Sequence, residues 1–191
     1  MLKLVSAFFL MFSLSLSAIA EENHPLVLVK TNYGDITLEL NAEKAPITVK
    51  NFLRYVDEGF YSETLFHRVI DGFMVQGGGL DYTLTKKPTH EAIQNEADNG
   101  LKNTVGTVAM ARTGDPRSAT SQFFINVANN GFLDHRSKHS GRSWGYTVFG
   151  KVVKGMSVVD KIRKVETTTM RGRRDVPKEP VAILSIERFK G

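Results

Sequence analysis

Hydrophobic and polar residues follow one another in short blocks along the chain, and the period of each block predicts its secondary structure. In residues 36–40 (ITLEL) apolar and polar residues alternate, which is typical of a strand with one buried face. Together with the apolar start of residues 26–40, this block predicts two strands joined by a turn at 32–34. Similar blocks rich in β-branched and aromatic residues predict a hairpin at 66–77 and strands at 106–112, 121–128, 145–153 and 181–189.

Two other segments have the spacing of an amphipathic helix. In residues 45–59 the apolar positions recur at intervals of three, one and three, with Pro46 placed for a first helical turn and Gly59 for a C-terminal cap. Residues 154–165 repeat an apolar residue every third position. The pattern therefore predicts about eight short strands and two helices that lie far apart in sequence, which disfavours a doubly wound parallel sheet. A closed or nearly closed antiparallel barrel with helices over its ends would remove the exposed sheet edges.

The first twenty residues have a different pattern from the rest of the chain. Lys3 is followed by an apolar run over residues 4–16 and then by Ala-Ile-Ala at 18–20, which is the order of a cleaved signal peptide. A membrane anchor is the alternative, but the run falls short of the roughly 20 residues that a spanning helix needs. We therefore expect cleavage after residue 20, export to the periplasm, and a single domain over 21–191 that does not bind the membrane.

Composition excludes several kinds of chemistry. The chain is 41% hydrophobic and 24% charged, as in soluble globular proteins, and it has no cysteine for a thiolate nucleophile or a thiolate metal site. Removal of residues 1–20, which carry one lysine and no acid, lowers the formal net charge from +5 to +4. The basic residues are dispersed except for RGRR at 171–174, so we expect a solvated loop there and no nucleic-acid partner.

Two histidines raise the possibility of a metal site. His135 and His139 are four residues apart, which suits two ligands on one helix. The surrounding segment is polar and turn-rich and offers no obvious third ligand, so solvated loop histidines are the favoured interpretation. A metal-dependent hydrolase is kept as a minor hypothesis, and we expect neither a metal nor another cofactor.

Polar residues inside apolar strands are the least expected feature of the pattern. Arg68, Gln76 and Gln122 interrupt the strands at 66–77 and 121–128. An unpaired charge is costly to bury, so the simplest interpretation is a plain core with the arginine reaching the rim. Large apolar residues lie near the ends of the same strands, at Phe73, Met74, Phe123, Phe124, Phe132 and Leu133.

Five blocks, taken in order, resemble the signature blocks of cyclophilin-type peptidyl-prolyl isomerases. They are FHRVIDGFMVQGG, GTVAMAR, SQFFI, FLD and VFGKVV, and the resemblance extends over roughly residues 26–189. It is closest to the short secreted cyclophilins of bacteria. The resemblance implies a mainly β fold, a closed eight-stranded antiparallel β-barrel capped by two α-helices. It also implies an enzyme that accelerates cis-trans isomerisation of X-Pro bonds.

The resemblance also assigns roles to residues. It implies that Arg68 is the catalytic arginine and that Gln76 orients it and the substrate. The substrate-binding positions that it implies are Phe73, Met74, Ala111, Arg112, Gln122, Phe124, Phe132, Leu133 and Tyr146.

Three of these positions depart from the pattern of animal cytosolic cyclophilins. Arg112 replaces the usual Asn, Phe132 the usual Trp and Tyr146 the usual His. Phe132 lacks the indole N–H donor, so we expect weak cyclosporin binding at most. Tyr146 keeps a hydroxyl, so peptide binding should survive.

The expected partners are proline-containing polypeptides that fold in the periplasm, and we expect a monomer. A chaperone that holds proline segments, with turnover secondary, is the alternative.

The site also sets a geometric requirement. A two-residue turn at Asp71-Gly72 would place Gln76 on the opposite face from Arg68. The sequence therefore predicts a bulge or a wider loop at 71–73.

Overall fold

The structure is a computed structural model that describes residues 24–189. The predicted signal peptide lies outside the described residues. Among the helices of residues 24–189, none is both long and apolar enough to cross a membrane.

The described chain is mainly β. Its strands are β1 (Leu26–Thr31), β2 (Gly34–Leu40), β3 (Thr64–Leu65), β4 (Arg68–Ile70), β5 (Met74–Gly77), β6 (Thr107–Met110), β7 (Phe123–Asn126), β8 (Val148–Lys154), β9 (Thr167–Met170), β10 (Arg173–Pro177) and β11 (Ala182–Phe189). Its α-helices are α1 (Pro46–Asp57), α2 (Gly141–Trp144) and α3 (Met156–Ile162), and single 3₁₀ turns lie at Ala97–Asn99 and Gly131–Leu133.

Nine strands form one antiparallel sheet in the order β3-β11-β1-β2-β8-β6-β7-β5-β4. The sheet is a curled half-barrel, so the prediction of a closed eight-stranded barrel is wrong in both closure and strand number. Its two edges, β3 and β4, follow each other in the chain with only Phe66 and His67 between them. Because the chain runs through both edges in one direction, they cannot form an antiparallel pair. Phe66 instead donates its backbone N–H to the carbonyl of Val181 (2.9 Å).

Two helices were predicted, and three are present within residues 24–189. Helix α1 begins at Pro46 as expected, and Gly59, with φ +65°, follows its last residues. Helix α3 lies inside the predicted segment but ends at Ile162. The additional helix α2 is a single turn in which Ser140 and Ser143 form a capping box. Its polar sequence lacks an apolar face, which is why periodicity predicted a loop.

The β9–β10 hairpin was not predicted either. Its strands form a separate two-stranded sheet that packs beside β4. Most of its side chains are exposed, so it carries little of the hydrophobic alternation that identifies a strand.

The main hydrophobic core lies between the inner face of the half-barrel and helices α1 and α3. Phe52 of α1 is fully buried, 5.2 Å from Phe149 of β8 and 5.5 Å from Phe123 of β7 between ring centres. Burying one such side chain stabilises the fold by roughly 1.5–3 kcal/mol. The core therefore fixes the inner face of β4–β8 and leaves their outer face available for a site.

Candidate functional site

The β4–β5 hairpin sets the position of Arg68. Ile70 lies opposite Met74 and Arg68 lies opposite Gln76, so residues 71–73 form a three-residue loop. Gly72 in this loop has φ +71°, which glycine adopts without strain, and Phe73 donates its N–H to the carbonyl of Ile70 (3.1 Å). Residues directly opposite in a ladder project to the same face. The predicted wider loop is therefore confirmed, and it brings Arg68 and Gln76 to one face.

The same face continues across the neighbouring strands. Gln76 lies opposite Phe124 of β7, and Phe124 lies opposite Ala109 of β6. Arg68, Gln76, Phe124 and Ala109 therefore form a row across four strands on the outer face of the sheet. The alternate residues of these strands point into the main core.

A cluster of apolar residues on the outer face lies beside this row, and we call it the apolar hollow. Its buried wall consists of Met74, Ala109, Phe124, Leu133 and Val148, and partly buried residues including Phe73, Ala111 and Tyr146 pack against it. The Tyr146 ring meets Phe124 edge-on with 5.8 Å between centres. Phe132 stacks on Phe73 at 5.6 Å and is 57% exposed, so it forms the outer lip. The structure thus brings together all the apolar residues that the sequence predicted for the site.

Polar groups form one side of the hollow. Gln76 Nε2 donates to Gln122 Oε1 (3.0 Å), so two predicted site residues pair with each other. The Arg68 side chain is 40% exposed, and its Nε lies 3.4 Å from Asp175 Oδ2. Arg68 is thus neither buried nor unpaired. Gln76 lies opposite Arg68 in the strand pair, but its side chain forms its hydrogen bond with Gln122.

Asp175 was missed by the sequence reasoning. It lies on β10 in a hairpin whose register shifts between Arg173 and Val176. It has φ +61°, a conformation that non-glycine residues seldom adopt and that Asp tolerates better than most. Neither the hairpin nor its bulge leaves a periodic signal, so no local pattern indicates that this carboxylate meets Arg68.

Arg112 has its guanidinium engaged within the protein. Nε donates to the carbonyl of Gly145 (3.0 Å), Nη1 to that of Thr113 (2.9 Å) and Nη2 to that of Gly141 (2.6 Å). Its Cζ lies 4.3 Å from the centre of the Tyr146 ring. The side chain therefore braces the loops around the hollow. At the neighbouring Ala111 the backbone N–H bonds the carbonyl of Gln122 (2.9 Å), so this donor is not free for a peptide.

The histidines differ in their surroundings. Burial lowers the pKa of His67 to about 4, and the charges of Arg173 and Arg68 act in the same direction. His67 is therefore neutral near pH 7.

His135 Nδ1 lies 2.7 Å from the carbonyl of Trp144. Within residues 24–189, no group of three or more His, Asp or Glu side chains is arranged to hold a metal ion.

Comparison with known proteins places the chain in a family. Residues 26–188 match the family model of cyclophilin type peptidyl-prolyl cis-trans isomerases. Peptidyl-prolyl cis-trans isomerase B of Escherichia coli is 57% identical over 161 residues, which cover 84% of this chain and 98% of that protein. Peptidyl-prolyl cis-trans isomerase A of Dickeya dadantii is 54% identical over 164 residues, covering 86% of this chain and 84% of that protein.

Solved structures agree with this assignment. The crystal structure of a cyclophilin type peptidyl-prolyl cis-trans isomerase of Cryptosporidium parvum matches with a TM-score of 0.75 and 28% identity. The match covers 88% of this chain and 99% of that one. The chain therefore belongs to the cyclophilin-type peptidyl-prolyl cis-trans isomerase family.

Proposed function

We propose that this protein catalyses the cis-trans isomerisation of X-Pro bonds in polypeptides that fold in the periplasm, with Arg68 stabilising the transition state. The observation that carries the proposal is the position of Arg68. Arg68 stands in one cross-strand row with Gln76 and Phe124, and Phe124 belongs to the buried wall of the apolar hollow.

The chemistry requires little from the protein. The barrier to rotation about an X-Pro bond, roughly 18–20 kcal/mol, comes from amide resonance. In the twisted transition state the nitrogen lone pair is localised and accepts a hydrogen bond, whereas the planar ground state accepts poorly. A donor aimed at this nitrogen stabilises the transition state selectively. Arg68 supplies a permanently charged, rigid donor.

The apolar hollow would hold the proline ring in place while the peptide bond turns. Met74, Phe124 and Leu133 are each at most 9% exposed, so they form a fixed wall. The pyrrolidine ring is apolar and would bury its surface there. A related cyclophilin type isomerase of Cryptosporidium parvum was also crystallised in the presence of the dipeptide Ala-Pro, and this supports the choice of a proline ligand.

The polar side would hold the peptide backbone. Gln76 uses one amide N–H for Gln122, which leaves its second N–H and its carbonyl oxygen for other partners. An extended backbone beside the row could bond to these groups. In this role Gln76 positions the substrate rather than the Arg68 side chain.

The cellular setting is inferred from the N-terminal pattern. Residues 1–20 have the order of a signal peptide, and bacterial proteins are among the relatives. We therefore propose periplasmic clients, a monomeric enzyme without cofactor, and weak cyclosporin binding at most, because the exposed lip residue Phe132 has no N–H to donate.

A chaperone that binds proline segments could use the same hollow, and Arg68→Ala separates the two. We expect the kcat/KM for a proline peptide to fall by about 100-fold or more, the scale seen when a transition-state donor is removed. Peptide affinity should fall less than tenfold, because the hollow is intact. Arg68→Lys, which keeps the charge but loses the fork, should recover only part of the rate.

The assay follows isomerisation of a proline peptide, and binding is measured by calorimetry on the same samples. Equal turnover by wild type and Arg68→Ala would rule out the mechanism. Tight peptide binding without turnover by the wild type would favour the chaperone.

A further inference from the structure

A second depression adjoins the apolar hollow. We call it the arginine hollow, because Arg112, Arg136 and Arg142 line it. Its volume is about 680 Å³, and it shares Leu133 and Tyr146 with the apolar hollow. None of its lining residues is Asp or Glu.

The three arginines resemble Arg117, Arg171, Arg173 and Arg174, and differ from the other four arginines of residues 24–189, in having no acidic partner. Across residues 24–189, none of the three has a carboxylate oxygen within 4.0 Å. Arginines elsewhere do have such partners, as in the pairs Arg54–Glu58, Arg163–Asp160, Arg163–Asp71 and Arg188–Asp57. Three positive charges therefore meet in one depression without a neutralising group.

Two of the charges are held by neutral acceptors. Arg112 bonds three backbone carbonyls, and Arg136 Nη2 donates to the carbonyl of Phe132 (3.3 Å). Carbonyls satisfy donors without cancelling the charge. A guanidinium has five N–H groups, so Arg112 keeps two beyond these bonds. The wall therefore presents fixed positive charge and spare donors, which is the arrangement that recognises a carboxylate.

The distance between the hollows fits one peptide. The Tyr146 ring lies 5.8 Å from Phe124 and 4.3 Å from Arg112 Cζ, so the guanidinium is at most about 10 Å from the Phe124 ring centre. An extended chain advances roughly 3.3–3.6 Å per residue. A side chain two or three residues from a proline seated at Phe124 would reach the arginine hollow.

We propose that the arginine hollow is a specificity subsite for an acidic side chain, Asp or Glu, two or three residues from the proline of the client. The inference rests on the proposed function, because it takes the apolar hollow as the proline site. The carboxylate would accept hydrogen bonds from Arg136 and Arg142 and lie in the field of Arg112.

The test compares proline peptides that differ at one position. Glu, Gln or Lys is placed two or three residues before or after the proline, and kcat/KM is measured for each. On one side of the proline we expect Glu to exceed Gln by about three- to tenfold, through a lower KM, and Lys to fall below Gln. Higher salt should reduce the difference, because exposed charges are screened.

Variants then locate the effect. Arg136→Gln combined with Arg142→Gln should remove most of the Glu preference and leave the rate with the Gln peptide unchanged. The control combines Lys154→Gln with Lys161→Gln, which removes two positive charges outside the hollow. This control should keep the preference for the Glu peptide. Thermal melting of each variant checks that it is folded.

The outcomes distinguish this inference from the proposed function. If wild type turns over the Glu, Gln and Lys peptides equally, the subsite is refuted while the isomerase activity stands. If the preference survives loss of Arg136 and Arg142, or vanishes in the lysine control, the arginine hollow is not its source. If no proline peptide is isomerised, the proposed function itself fails.

Discussion

The two faces of strands β4–β7 differ in what they contact. The inner face carries Val69, Val75, Phe123 and Ile125, which are at most 2% exposed and pack into the main core. The outer face carries Arg68, Gln76 and Phe124, with polar groups on one side and the apolar hollow on the other. Successive residues of one strand therefore face the core and the site in turn. A substitution on the inner face should mainly lower stability, and one on the outer face should mainly lower activity.

The adjacent residues Phe123 and Phe124 test this division most strongly. Phe123 contacts the rings of Phe52, Tyr61 and Phe66, so Phe123→Ala should lower the free energy of unfolding by about 3–5 kcal/mol. Phe124→Ala should cost less stability, because its cavity opens to the hollow, but should reduce kcat/KM by about tenfold or more. Urea denaturation and a proline-peptide assay measure the two effects.

The contrary result is equally clear. If Phe124→Ala destabilises the protein as much as Phe123→Ala and leaves the kcat/KM of the folded fraction unchanged, the outer face belongs to the core and the division is wrong.

The second test uses acid, because His67 lies at the link between the edges of the half-barrel. The unfolded chain takes up a proton on this side chain near pH 6.5, whereas burial delays uptake in the folded state until about pH 4. The unfolded state thus binds more protons between these values. The contribution of His67 to the free energy of unfolding should therefore be fully present above pH 6.5. It should fall by up to about 3 kcal/mol as the pH drops to 4.

The measurement is urea denaturation from pH 7.5 to pH 4 for wild type and His67→Gln. The substitution should flatten this part of the stability profile. His139→Gln, at an exposed position, is the matched control and should keep the slope. An equal slope in wild type and His67→Gln would show that other groups cause the acid sensitivity.

The smallest effect is expected at the edge of the outer face, where Asp175 meets Arg68. The pair is well exposed, and exposed ion pairs contribute about 0–1 kcal/mol. Asp175→Asn keeps the side-chain shape and tolerates the left-handed backbone, so kcat/KM should change less than about threefold. Asp175→Val should also lose stability, because a β-branched residue is strained at φ +61°.

Isomerisation assays and thermal melting of both Asp175 variants check this prediction. A loss of activity in Asp175→Asn as large as that expected for Arg68→Ala would show that the carboxylate holds the guanidinium in place, and the site would then extend onto the β9–β10 hairpin.

Much of the outer face could be predicted from local pattern. The period of two in the strands separates Arg68 from Val69, but the resemblance to the cyclophilin family, rather than the arginine by itself, marked the site. The resemblance required Arg68 and Gln76 to lie on one face, and simple parity of strand pairing then predicted a bulge or a wider loop at 71–73, of which the structure has the wider loop.

The contacts of Gln76, Arg112 and Asp175 could not be predicted in this way. Each of these side chains bonds a partner at least 29 residues away in the chain. Gln76 bonds Gln122, Arg112 bonds the carbonyl of Gly141, and Asp175 accepts from Arg68. Short polar loops and exposed hairpins have no periodicity, and their mutual positions depend on how the sheet curls. The arginine hollow exists only because such loops meet.

The sequence by itself determined which residues face the core and which face outward, because alternation along a strand is a local property of the backbone. It also determined the chemistry available: no thiol, one arginine in an apolar setting, and several large apolar residues near it. Only the tertiary structure decided that the sheet stops at a half-barrel, and that Asp175 and three uncompensated arginines lie beside the hollow. Closure and charge placement depend on contacts between distant segments, whose energies are set by packing rather than by the local order of residues.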